Sequence, residues 1–124
     1  MTSGKKHILV IDDDTRMLKV IKLHLHEKYD VATAISGKIA LKFLETKHTD
    51  LILLDYAMPD ENGLVVLEKL RANPSTQNIP VIFLTGITDR KKIQEALVMK
   101  PQGYLLKPIN RKRLLAAIQN ILEA

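Results

Sequence analysis

The chain has 124 residues, enough for one domain with a sizeable core, and its 46% apolar and 27% charged residues are ordinary for a globular protein. It contains no cysteine, which excludes disulfides, thiol nucleophiles and thiolate-bound zinc, and no apolar run approaches the ~18 residues of a membrane helix. The net charge of +5 is uneven: eight basic residues against Asp89 and Glu95 give +6 between Asp89 and Arg113, leaving −1 for the rest.

The N-terminal MTSGKK lacks the apolar stretch of a signal peptide, so the chain reads as cytoplasmic, with no membrane segment. HILVI (7–11) is a short apolar run with β-branched residues, which predicts a buried strand. From Thr15 to Lys28, Met17, Leu18, Ile21 and Leu25 recur at spacings of three and four, one face of a helix. Asp14 stands where that helix needs its cap. DVATA (30–34) predicts a less apolar strand nearer an edge. Ser36 caps a helix carrying Ala40, Leu41 and Leu44.

DLILLD (50–55) predicts a fully apolar strand with an acid at each end. Pro59 and Gly63 bracket a loop into a helix with Leu64, Leu67 and Leu70, which Asn73-Pro74 ends. PVIFLT (80–85) is a fourth strand. Asp89 caps a fourth helix reaching about Val98, and Pro101 ends it early. GYLL (103–106) is a fifth strand, and Asn110 caps a last helix with Leu114, Ile118, Ile121 and Leu122. Strand–helix alternation repeated five times means an α/β fold, a parallel sheet with helices on both faces.

In such sheets the working site lies beyond the C-terminal ends of the strands. Asp12 and Asp13 follow the first strand, Asp55 ends the third, Thr85 the fourth, and Lys107 follows the fifth. Each alone is an ordinary turn, cap or surface residue. Together they put carboxylates, a hydroxyl and an ammonium on one edge. Crowded carboxylates need a cation, and oxygen ligands without soft ones select a hard ion, Mg²⁺ or Mn²⁺. Mg²⁺ takes one or two carboxylates plus phosphate oxygens, which suits phosphoryl transfer. A carboxylate can then be the nucleophile and form an aspartyl phosphate, with Lys107 and Thr85 on the phosphate oxygens.

The motifs ILVIDDD, LILLDYAMPDENG, VIFLTG and GYLLKP, in this order and spacing, cover essentially the whole chain. It resembles the receiver domains of response regulators in two-component signalling. The resemblance implies one receiver domain over 1–124: a doubly wound, flavodoxin-like, five-stranded parallel sheet in the order 2-1-3-4-5. It implies a signalling switch rather than an enzyme. Asp55 would be the phosphoacceptor, taking a phosphoryl group from the phosphohistidine of a histidine kinase or histidine phosphotransfer protein. Asp13, Asp55 and the backbone carbonyl of Ala57 would bind Mg²⁺, and Asp12 would act through a metal-bound water. Thr85 would be the switch hydroxyl, Lys107 the phosphate partner and Tyr104 the aromatic that turns inward. The face of the fourth helix, fifth strand and last helix would then shift toward a downstream target the sequence does not name.

Some positions depart from the family. Gly86 replaces a frequent alanine and would loosen the switch loop. KPQGY precedes the fifth strand in place of the usual Gly-Ala-x-x-Tyr. Ala57 and Ile87 are apolar where polar residues orient hydrolytic water, so slow autodephosphorylation is expected. Arg111, Lys112 and Arg113 open the last helix, where positive charge opposes the dipole. With no helix-turn-helix motif or interleaved aromatics, direct nucleic-acid binding is not expected. His7, His24, His26 and His48 are expected on the surface, away from the site. The rival reading is a haloacid-dehalogenase-type phosphatase with Asp12 as nucleophile; Arg16 stands where that motif has Thr or Val.

Overall fold

A computed structural model describes residues 4–59, 61–86, 94–95, 97–98 and 100–123. The most apolar runs form the middle of a parallel sheet. β1 (His7–Ile11), β3 (Leu51–Asp55) and β4 (Val81–Thr85) lie side by side, with β2 (Asp30–Ala34) and β5 (Gly103–Leu106) at the edges, in the order β2-β1-β3-β4-β5. Ile8 pairs with Leu51, Ile52 with Val81 and Ile82 with Gly103. DVATA is part-exposed, as its mixed composition predicts for an edge.

The pleat sends alternate residues to opposite faces. Ile8, Val10, Leu51, Leu53, Ile82 and Leu84 meet α1 (Thr15–Leu25) and α4 (Arg111–Leu122). Leu9, Ile11, Ile52, Leu54, Val81 and Phe83 meet α2 (Gly37–Leu44) and α3 (Gly63–Ala72). These strand residues are at most 1% exposed, and burying each such side chain contributes about 1.5–3 kcal/mol. Among the described residues no helix is long and apolar enough to cross a membrane.

The helix starts follow their caps. The Asp14 carboxylate accepts the Arg16 and Met17 amides, Ser36 accepts that of Ile39, Asn62 that of Val65 and Asn110 that of Arg113. α1 stops at Leu25, three residues short of the periodicity. The Lys28 and Tyr29 amides both return to the Leu25 carbonyl, and Tyr29 turns into the core, so the chain must leave the helix to feed β2. Gln94, Glu95, Leu97 and Val98 are helical, consistent with a helix reaching Val98. Its expected cap, Asp89, and Ile87 lie outside the described residues. Just before Pro101, Lys100 takes a left-handed φ of 54°.

Two local devices fix the sheet's neighbours. A side chain on Gly63 would come 2.5 Å from the Asp55 carbonyl and 2.9 Å from the Phe83 ring, so only glycine lets α3 start this close to β3. At the start of β5, the Gln102 amide donates to the Val81 carbonyl, and its side-chain carbonyl accepts from the Val81 amide at 2.8 Å and Arg71 at 3.2 Å. Arg71 also holds the carbonyls of Gln77 and Ile79. Gly86 is exposed and has open space where a side chain would stand.

Candidate functional site

The strand order reverses between β1 and β3, and there the C-terminal ends of the strands bring the acids together. The Asp12 amide donates to the Ala34 carbonyl and prolongs the β1–β2 ladder. This holds its carboxylate inside, fully buried. One oxygen accepts the Asp14 amide at 2.9 Å and the other the Lys107 ammonium at 2.9 Å. Asp55 closes β3 and is 4% exposed. Its Oδ1 lies 3.3 Å from the Lys107 Nζ. Asp13 is exposed.

Lys107 reaches this place through a ladder bond. Its amide donates to the Thr85 carbonyl at 2.8 Å, one step beyond the Thr85–Leu106 pair. Thr85, buried at the end of β4, therefore stands next to it. The Lys107–Pro108 peptide is cis. Tyr104 pairs in register with Phe83 and packs, half-buried, against the α2–α3 side of the core. Ala57 is an exposed loop residue two positions past Asp55.

The electrostatics are unbalanced. One oxygen from each of Asp12, Asp13 and Asp55 lies within 4.8 Å of the others. At that spacing two like charges repel by about 3 kcal/mol at an effective dielectric near 20. Burial, then the Asp12 charge, push the Asp55 carboxyl up to about 6, with Lys107 opposing. Burial disfavours the Lys107 ammonium. The hydrogen bond it donates to Asp12 and the charges of Asp55 and Asp12 outweigh it and hold Lys107 above its ordinary range. One ammonium cannot neutralise three carboxylates. An all-oxygen cluster with one solvent-facing member has the donor chemistry of a hard divalent ion that keeps waters.

The strand-end residues singled out in the sequence thus converge: Asp12, Asp13, Asp55, Thr85 and Lys107. The histidines stand apart, as expected. His7 and His48 meet edge-on, 6.3 Å between ring centres, by Asp50 at the opposite end of the sheet. Sequence reading missed the cavity of about 720 Å³ beside Asp13, lined by Ile35, Leu41, Met58 and Pro59 among others. Its walls come from segments whose contact no local pattern signals. It also missed that the cap residue Asp14 lends its amide to Asp12, an Asx-type turn that Asp-Asp-Asp permits.

The family model for the response regulator receiver domain matches residues 8–119. The chain belongs to this family. The receiver is 36% identical over 103 residues to a probable cyclic di-GMP phosphodiesterase of Vibrio cholerae, covering 83% of this chain and 23% of that protein. It is 34% identical over 115 residues to the response regulator PleD of Caulobacter vibrioides, covering 92% of this chain and 25% of that protein. The receiver thus spans about a quarter to a half of the length of the curated relatives it matches. Among solved structures, the chemotaxis protein CheY4 of Vibrio cholerae superposes with a TM-score of 0.90 at 28% identity, covering 96% of this chain and all of that one. Receivers of this family act in two-component signalling. Their fold is the five-stranded parallel sheet found here.

Proposed function

We propose that this chain is a single receiver domain over 1–124, cytoplasmic, in which Asp55 accepts a phosphoryl group from the phosphohistidine of a histidine kinase or histidine phosphotransfer protein. The observation that carries this is the Lys107 ammonium set between Asp12 and Asp55, with Asp13 beside them at the solvent edge. An Asp55 oxygen attacks phosphorus, the bond from phosphorus to the donor imidazole breaks, and the electron pair leaves with that nitrogen. Asp13, Asp55 and the Ala57 carbonyl would hold Mg²⁺, with Asp12 acting through a metal-bound water, and the ion would supply charge neutralisation for the phosphoryl oxygens. Lys107 turns from Asp55 to a phosphate oxygen. The Thr85 hydroxyl moves to another, and Tyr104 rotates into the space it leaves. The face of residues 94–98, β5 and α4 then shifts between two states.

Acetyl phosphate with Mg²⁺ tests the phosphoacceptor. Intact mass should rise by one phosphoryl group in the wild type and not in Asp55→Ala; no gain in the wild type would sink the reading. The haloacid-dehalogenase-type alternative puts the nucleophile at Asp12. Both Asp12 oxygens are already bound, by the Asp14 amide and Lys107, which disfavours attack from that side chain. Ala57 and Ile87 offer no polar group to orient hydrolytic water, so the aspartyl phosphate should persist for minutes or longer. Its half-life by mass spectrometry checks this, and loss within seconds overturns it.

A further inference from the structure

The N-terminal end of the sheet gathers a second group of titratable side chains. His7 opens β1, Asp30 opens β2, and His48 and Asp50 lie just before β3. The ladder fixes their backbones: His7 pairs in register with Asp30, and the Asp50 amide donates to the His7 carbonyl at 2.8 Å. Each imidazole turns one nitrogen to a carboxylate. His48 Nε2 lies 2.7 Å from an Asp50 oxygen, and His7 Nδ1 lies 3.9 Å from an Asp30 oxygen. The other ring nitrogens, Nδ1 of His48 and Nε2 of His7, bond to no protein group among the described residues.

Metal-binding histidines use this arrangement, with one ring nitrogen held by a carboxylate and the other left for the ion. The two rings stand 6.3 Å apart, centre to centre, and nearly perpendicular. With metal–nitrogen distances of about 2.0–2.1 Å, two imidazoles on one ion have centres roughly 5–6.5 Å apart. Both rings are exposed enough to turn: the His7 side chain is 46% accessible and that of His48 75%. Beside them a cavity of about 150 Å³, lined by His7, Asp30, Phe43, His48 and Thr49 among others, has room for an ion and its waters. His24 and His26 are the contrast. They lie two residues apart at the end of α1, a spacing at which side chains do not face each other, and neither meets a carboxylate among the described residues.

We propose that His7 and His48 together bind one divalent ion of the Zn²⁺, Ni²⁺ or Cu²⁺ class, for which neutral imidazole is the common ligand. His7 Nε2 and His48 Nδ1 would be the direct ligands, and water would complete the shell. Both Asp50 oxygens are already bound, by the His7 amide and the His48 ring, so Asp50 acts through His48 by holding its tautomer and orientation. Asp30 stands in the same relation to His7, at longer range. A hard ion such as Mg²⁺ prefers the oxygens of Asp12, Asp13 and Asp55 at the other end of the sheet. The two ends thus sort cations by donor atom. An ion here would tie the start of β1 to the segment that leads into β3. Nothing in this site depends on which aspartate carries the phosphoryl group.

The probe is Zn²⁺, titrated into the full chain with Mg²⁺ in excess to compete for the oxygen ligands. Calorimetry should show one zinc per chain. In NMR spectra the ring protons of His7 and His48 should shift, and those of His24 and His26 should not. His48→Ala should weaken binding roughly tenfold or more, and His7→Ala/His48→Ala should abolish it. Asp50→Asn keeps both imidazoles and should still weaken binding by about tenfold, because His48 loses its charged partner. His24→Ala/His26→Ala should bind as the wild type does. Circular dichroism should show each variant folded, and the ring-proton shifts of the wild type need no variant at all. Four results would overturn the assignment: no zinc uptake, uptake unchanged in His7→Ala/His48→Ala, ring shifts confined to His24 and His26, or uptake lost in Asp13→Asn, which would put the zinc on the acid cluster.

Discussion

The two ends of the sheet handle their acids in opposite ways. At the N-terminal end Asp50 is fully partnered: one oxygen takes the His7 amide at 2.7 Å and the other the His48 ring at 2.7 Å. Burial works against its charge, but the His7 and His48 bonds win and hold the carboxyl below its ordinary range. At the C-terminal end Asp12 and Asp55 share one ammonium with Asp13 beside them, and Asp55 is pushed up instead. One end is satisfied by the protein. The other leaves its described carboxylates in excess of the one ammonium, a donor set that suits a hard divalent cation.

The largest expected effect comes from adding the divalent cation proposed for this cluster. At about a hundredfold excess over its dissociation constant, Mg²⁺ should stabilise the wild type by about 2.7 kcal/mol. Asp13→Asn removes the exposed carboxylate and should weaken Mg²⁺ binding roughly tenfold, about halving that gain. Thermal midpoints with and without Mg²⁺ measure both. An unresponsive wild type would erase the contrast between the ends.

Next is relief of the crowding without metal. A carboxyl raised from 3.8 to about 6 corresponds to about 3 kcal/mol against the folded state at neutral pH. An uncharged amide relieves most of this, so Asp55→Asn should be more stable by about 2 kcal/mol in urea titrations without metal. The sign follows from linkage. The raised group favours the fold only while protonated, so the wild type loses that support as pH rises through about 6. The advantage of Asn should be full above neutrality and fade below pH ~4. An advantage that survives strong acid would mean the crowding is not its source.

The smallest effect has the opposite sense. Asp50→Asn should cost about 1 kcal/mol at neutral pH. The depressed Asp50 carboxyl stabilises the fold above its ordinary range, and that support is lost as pH falls through its folded value. The deficit should therefore shrink in acid. Urea titrations near pH 7 and pH 3 compare the two; a deficit that grows in acid would refute the pairing of Asp50.

Much of the fold was legible because its signals are local. Apolar runs of five residues marked β1, β3 and β4, and Asp14, Ser36 and Asn110 marked helix starts by their own chemistry. The site residues were legible because parallel topology delivers strand ends to one edge. The division of labour between Asp12 and Asp13 was not legible in composition. It rests on the Ala34 carbonyl and on Lys107, 95 residues away from Asp12, which hold Asp12 inside while Asp13 stays exposed. The end of α1 was overrun because Tyr29 prefers the core to another helical turn. The role of Asp50 depends on His7 and His48, which only the folded sheet gathers.

The Gln102 junction has a mechanical consequence. Three hydrogen bonds, two between Gln102 and Val81 and one from Arg71, clamp the start of β5. Its far end leads to Lys107, held to the neighbouring strand by one amide and to the acids by its ammonium. β5 is thus anchored most firmly at its start. A pull on Lys107 would act at the opposite end of the strand, next to the half-exposed Leu106.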